Sequence, residues 1–189
     1  MRRLLLPLLA TLILAAPAVA ETPEFYEQVY LSKDQALAVA LPPHDKVVAR
    51  VFTPTPDQRK QAERRLGRKL EEPTYTFFEG QSGGKPVGHA IVLDELGKHY
   101  PITFVVGLTP EGTVREVAVM TYREKRGDAV KRRRFLNQFK DKTDADPIMV
   151  NRDIVHLTGA TVSSWSIAAG VKKAVVLHDT LIQAKRTAP

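Results

Sequence analysis

The chain has 189 residues, a formal net charge of +7 and no cysteine. Lacking thiols, it has no disulfides, no thioether-attached haem and no thiolate-held iron–sulfur cluster. Its five histidines (His44, His89, His99, His156, His178) show no metal-ligand spacing, and its basic residues are not interleaved with aromatic ones, which argues against metal and nucleic-acid sites.

The first twenty residues read as a targeting segment. Arg2 and Arg3 make a positive start, Leu4 to Ala15 is apolar, and Ala18-Val19-Ala20 is a small-x-small cleavage signal. The apolar part is shorter than the ~20 residues a membrane span needs. The expected mature chain begins near Glu21 and is exported to a periplasm, with residues 21–189 forming one domain.

Ser32 is placed to cap a helix over Lys33–Leu41, which Pro42-Pro43 ends. Lys46 to Phe52 alternates as a strand, and Pro54 and Pro56 close it. A second helix is expected over Asp57–Leu70, with Pro56 in its first turn. Leu66 and Leu70 are its only strong apolar pair, so it reads as a surface helix.

Four strands follow, at Tyr75–Glu79, Pro86–Glu95, Ile102–Leu108 and Thr113–Tyr122. Gln81-Ser82-Gly83-Gly84, Gly97 and Thr109-Pro110-Glu111-Gly112 punctuate them. The pattern is an antiparallel meander with helices before and after it, an α+β fold. Lys131 to Arg134 is a run of four cations leading into Phe135, Leu136 and Phe139. It reads either as a solvated helix face over an apolar one, or as a patch for an acidic partner or a phosphate. A long helix over Ser164–Ala184 closes the chain, with Ile167, Val171, Ala174, Val175, Leu181 and Ile182 as its apolar stripe and Trp165 in its first turn.

The stretch before that helix is Leu157-Thr158-Gly159-Ala160-Thr161-Val162-Ser163-Ser164. Ser163 and Ser164 stand where helix caps are favoured, and Gly159 permits a tight turn or a close approach. Outward amides at a helix start favour an anion. The local chemistry is that of a phosphate or carboxylate seat with the Thr161 hydroxyl at its centre.

Thr158, Gly159, Ala160, Thr161, Val162 and Ser163 resemble the Ser/Thr-Gly-Ala-Thr-x-Ser/Thr motif of FMN-binding domains, as found in flavin subunits of sodium-pumping quinone reductases and Rnf complexes and in small exported proteins. The resemblance is strongest over residues 86–184, where the strand meander, basic helix, motif and long helix follow in the family's order. It implies FMN esterified through its phosphate to Thr161, attached by a separate magnesium-dependent flavin transferase that uses FAD. Thr158, Gly159, Ala160, Ser163 and Ser164 would shape the attachment loop, and Glu124 and Tyr122 would lie near the ring. Val155 stands where the family usually carries an acidic residue, with Asp153 two positions earlier.

The expected function is electron transfer by an exported flavoprotein. Its partners would be the transferase and a redox protein or membrane electron-transfer complex. No nucleotide-cofactor fingerprint, nucleophile–base pair or catalytic carboxylate pair is present in the sequence. Two other readings are a flavin reductase of a small acceptor and a flavin-free periplasmic binding or adaptor domain.

Overall fold

A computed structural model describes residues 26–184. The expected signal peptide lies outside the described residues. The elements are β1 (Gln28–Val29), α1 (Lys33–Ala40), β2 (Lys46–Phe52), α2 (Pro56–Leu66), β3 (Tyr75–Ser82), β4 (Lys85–Leu96), β5 (Pro101–Leu108), β6 (Val114–Tyr122), α3 (Arg133–Leu136) and α4 (Thr161–His178). All six strands form one antiparallel sheet in the order β1-β6-β5-β4-β3-β2. The fold is α+β, as expected.

Local chemistry explains most boundaries. Ser32 and Thr55 each form a capping box with the Gln three residues on, Gln35 and Gln58, and these start α1 and α2. Helix α2 stops at Leu66 rather than Leu70, because Gly67 takes φ +67° and closes the helix in the left-handed region. Leu70, released from the helix, turns into the core. The basic segment is not one helix but a 3-10 turn at Asp128–Lys131, the single turn α3 and another 3-10 turn at Asn137–Phe139. Phe135, Leu136 and Phe139 are nonetheless buried, as expected for its apolar face.

The sheet has two covered faces. Helix α4 lies across one face against Phe77, Ile91, Phe104 and Val106; α1 covers part of the other with Ala36, Ala40, Ala90 and Val105. A charged cluster pins the loop after α2 to this frame. Arg68 donates both guanidinium arms to Glu95 at 2.7 and 2.6 Å, and the Lys173 ammonium sits 2.6 Å from Glu72.

The edge strand β2 is held by a similar fork, Arg50 donating to both oxygens of Glu79 at 2.8 Å. That fork keeps the Glu79 carboxyl below the usual value of 4.5, against the opposing effect of burial. A carboxylate depressed by folding stabilises the native state above its unfolded pKa and loses that contribution as pH falls through the folded value. Stability is therefore expected to drop as acid is added below about pH 4.5. In urea titrations Arg50→Gln should shrink this acid dependence.

Candidate functional site

An antiparallel meander brings the end of β4, the start of β5 and the end of β6 to one end of the sheet, and the start of α4 meets them there. Together they surround a cavity of about 620 Å³, within the size range of small-molecule sites. One wall is the β4–β5 turn, Gly97 to Tyr100; another is the loop Arg123 to Gly127; the third is Gly159 to Ser163, and Tyr26 closes the rim.

The sequence expected Ser163 and Ser164 to cap the last helix. In the structure that helix begins at Thr161, three residues earlier, with Ala160 at the cap position and no side-chain cap. Both serines are buried inside its first turn and serve tertiary contacts instead. Ser164 Oγ donates to the Ala160 carbonyl at 2.8 Å and accepts the Leu157 N–H at 3.2 Å, fastening the Thr158–Ala160 turn to the helix. Gly159 carries φ +79° in that turn. Ser163 Oγ lies 2.8 Å from the Tyr122 hydroxyl, which donates to the Arg126 carbonyl at 2.7 Å.

Tyr122 is fully buried beneath the cavity. Burial raises its phenol above the usual value of 10, while the Ser163 bond pulls the other way. The phenol thus stays protonated and holds the Arg126 carbonyl. Gly127, at φ +97°, lies so close that a Cβ there would sit 2.4 Å from the Tyr122 hydroxyl and 2.9 Å from Ser163 Oγ. Only glycine lets the loop rest on this pair. Tyr122→Phe leaves the Arg126 carbonyl and Ser163 hydroxyl short of a partner. We expect a loss of roughly 1–2 kcal/mol in chemical denaturation and faster tryptic cleavage in the 123–126 loop.

Glu124 is a clamp. Its Oε1 accepts the His99 N–H at 2.8 Å and the Tyr100 N–H at 3.3 Å, which ties the β4–β5 turn to the end of β6. The cavity lining also holds Lys98, Arg123, Lys125 and Arg126, so positive charge prevails there. Arg123 is committed to Glu27 and to Thr103 Oγ1.

Among the expected residues, Gly159, Ala160, Thr161, Ser163 and Glu124 line the cavity. Thr158 is exposed in the turn beside it, and Tyr122 and Ser164 support it from beneath. Trp165 is exposed and is not part of the lining. Asp153 is occupied elsewhere: its carboxylate accepts the Ile148 and Met149 N–H groups at 3.1 and 2.8 Å and pairs with Lys142 at 2.8 Å. Val155 is exposed, its backbone held by the Gln138 side chain. Sequence reasoning missed Tyr26, Lys98, His99 and Tyr100. The meander itself carried the signal for the turn residues, since consecutive antiparallel strands put the 97–100 turn beside the end of β6.

The chemistry of this site suits a phosphorylated cofactor. Thr161 is exposed at the first position of α4, and the opening N–H groups of a helix have no partner within it. A phosphate seated there meets those amides, the helix dipole and the surrounding cations at once. The cavity beyond it is large enough for a fused aromatic ring, with Tyr26 and Tyr100 at its walls.

Comparisons with known proteins point to the same part of the chain. Residues 97–176 match the FMN-binding domain family. Over 107 residues the chain is 31% identical to one component of the proton-translocating ferredoxin:NAD(+) oxidoreductase complex of Clostridium ljungdahlii. That match covers 52% of this chain and 57% of the relative, so the chain spans little more than half of that protein's length. The crystal structure of NqrC from Shewanella oneidensis has the same fold, with a TM-score of 0.54 at 16% identity over 76% of this chain and 86% of that one.

Proposed function

Because residues 97–176 match the FMN-binding domain family, we propose that this protein is an exported electron-transfer flavoprotein whose FMN is joined by a phosphoester to Thr161. The observation that carries the reading is the position of Thr161: an exposed hydroxyl at the uncapped start of α4, opening on a positively charged cavity. A tether suits an exported protein, which has little chance of rebinding a cofactor lost to dilution.

Bound FMN supplies the transfer of one or two electrons, and the protein supplies position, access and electrostatics. The amides of Thr161, Val162 and Ser163 would receive the phosphate. Tyr26 and Tyr100 offer faces for the ring, and Lys98 and Arg126 would favour negative charge on it. Glu124 and Tyr122 keep the two cavity loops in place. Attachment requires a separate flavin transferase. Thr161 Oγ would be the acceptor, bonding to the FMN phosphorus of FAD as AMP leaves, with its hydroxyl proton passing to the transferase.

The chain would act beside a redox protein or within a membrane electron-transfer complex, a reading that the name of its relative, a component of an oxidoreductase complex, supports. Among the described residues no helix is long and apolar enough to cross a membrane. Residues 1–20 would direct export and be removed.

Expression with a signal-competent host and an active flavin transferase tests the whole proposal. The periplasmic product should have the mass of a chain starting at Glu21 plus one FMN less one water, and should stay yellow after denaturation. A colourless, unmodified product, made while the transferase labels a control protein, would refute it.

A further inference from the structure

Strand β1 pairs with β6 only at Gln28↔Tyr122 and Val29↔Thr121. The N–H groups of Tyr30 and Leu31 then both donate to the Met120 carbonyl, and Ser32 turns the chain away into α1. At the other end of β6, Val114 is closed by backbone bonds to Asp141 and Lys142. Between these two closures, no described strand pairs with the outer side of residues 115–119. This open edge runs for about 17 Å at the usual rise of a strand.

The edge is the floor of a groove and not a bare rim. Tyr30, Leu31 and Val39 form one side, Leu136 and Arg133 the other, and the groove continues past Arg115 to Lys140. Its lining carries Arg115, Lys131, Arg133 and Lys140. Arg133 pairs with Glu116 at 2.5 Å, Lys131 with Asp128 at 2.9 Å, and Arg115 donates to the Val39 and Ala40 carbonyls. Four cations thus face two carboxylates, and the groove keeps a positive surplus. Cations placed only to discourage pairing would stand along an exposed edge. Here they flank a recessed one, with apolar side chains between them.

We propose that this groove takes an extended, acidic segment of a partner protein, which adds as a strand to the open edge of β6. Main-chain hydrogen bonds to residues 115–119 would supply affinity, and alternate carboxylates meeting Arg133, Lys140 and Lys131 would set specificity. The cation run of the sequence thus acts as a docking element at a place separate from the cavity at Thr161. The proposal does not depend on the flavin.

A fluorescent peptide of alternating Glu and Val, presented to the full chain, tests it. The peptide should bind, its Lys/Val counterpart should not, and amide exchange at residues 115–119 should slow in the complex. Methylating the backbone nitrogens along one edge of the peptide should weaken binding by about tenfold, as two lost hydrogen bonds would, whereas methylating the other edge should change little. Arg133→Gln with Lys140→Gln should also weaken it while leaving far-UV circular dichroism unchanged. Equal loss with either methylated edge, or no exchange protection at 115–119, would overturn strand addition. So would a self-associated dimer that protects the same amides without peptide. Binding of anionic vesicles that depends on Arg133 and Lys140, with no peptide binding, would assign the cations to a lipid surface instead.

Discussion

Thr161→Ala is expected to abolish flavin attachment completely while leaving the fold intact. The side chain is exposed at the first position of α4 and makes no hydrogen bond among the described residues, so its removal should change stability by no more than about 0.5 kcal/mol. The proposed attachment should be lost, since the hydroxyls of Ser163 and Ser164 are buried and engaged with Tyr122 and Ala160. Thr161→Ser keeps a hydroxyl at the same place and should restore the yellow product. Visible absorbance of acid-denatured protein, read beside a thermal melt, separates loss of the cofactor from loss of the fold. Flavin retained on the alanine variant would mean that another hydroxyl carries it, and Thr158, exposed in the same turn, is the one to examine.

The second large effect concerns stability. Lys173 is only 5% exposed in α4, 2.6 Å from Glu72 and 3.7 Å from Glu95, with its ammonium over the Tyr75 ring. Removing one partner of a buried ion pair typically costs about 3–5 kcal/mol, because the other charge stays desolvated. Glu72 is half-exposed and can rehydrate, and Arg68 still holds Glu95, so the lower end applies. Lys173→Ala should therefore cost about 3 kcal/mol, lowering the melting temperature by about 6–12 °C. A change within a degree would show the cluster to be solvated and of little consequence.

Local rules are legible where local energetics decide. The Ser32 cap, the strand Lys46–Phe52 and the four-strand meander all stand in the structure within a few residues of their expected bounds. They follow from alternation, turn residues and capping, which need no knowledge of distant neighbours. The end of α2 is also written locally, in Gly67, but the Leu66–Leu70 spacing suggests a longer helix. Leu70 is apolar for the core, not for a helix face.

The start of α4 misleads for a different reason. Serines before an apolar stripe are favoured caps, yet Ser163 and Ser164 are bonded to Tyr122, Leu157 and Ala160 inside the first turn. Tertiary partners outweigh the capping preference, and nothing in the neighbouring sequence reveals a partner 41 residues away. The same distance problem hides half of the cavity. Thr161 and its neighbours announce themselves as a motif, but Tyr26 and the turn Lys98-His99-Tyr100 become site residues only when the sheet folds them toward α4. Glu124 is expected near the ring, and its geometry gives it a second duty, holding that turn through two backbone N–H groups.

The most direct test of covalent attachment at Thr161 is to locate the modification within the chain. Trypsin cuts after Arg152 and Lys172, releasing a peptide from Asp153 to Lys172 that contains Thr158, Thr161, Ser163, Ser164 and Ser166. Fragmentation mass spectrometry of this peptide, from protein made with an active transferase, should find the mass of one FMN phosphoester on Thr161 and on no other residue. A bare peptide, or FMN carried on Thr158 or elsewhere in the chain, would contradict the central claim.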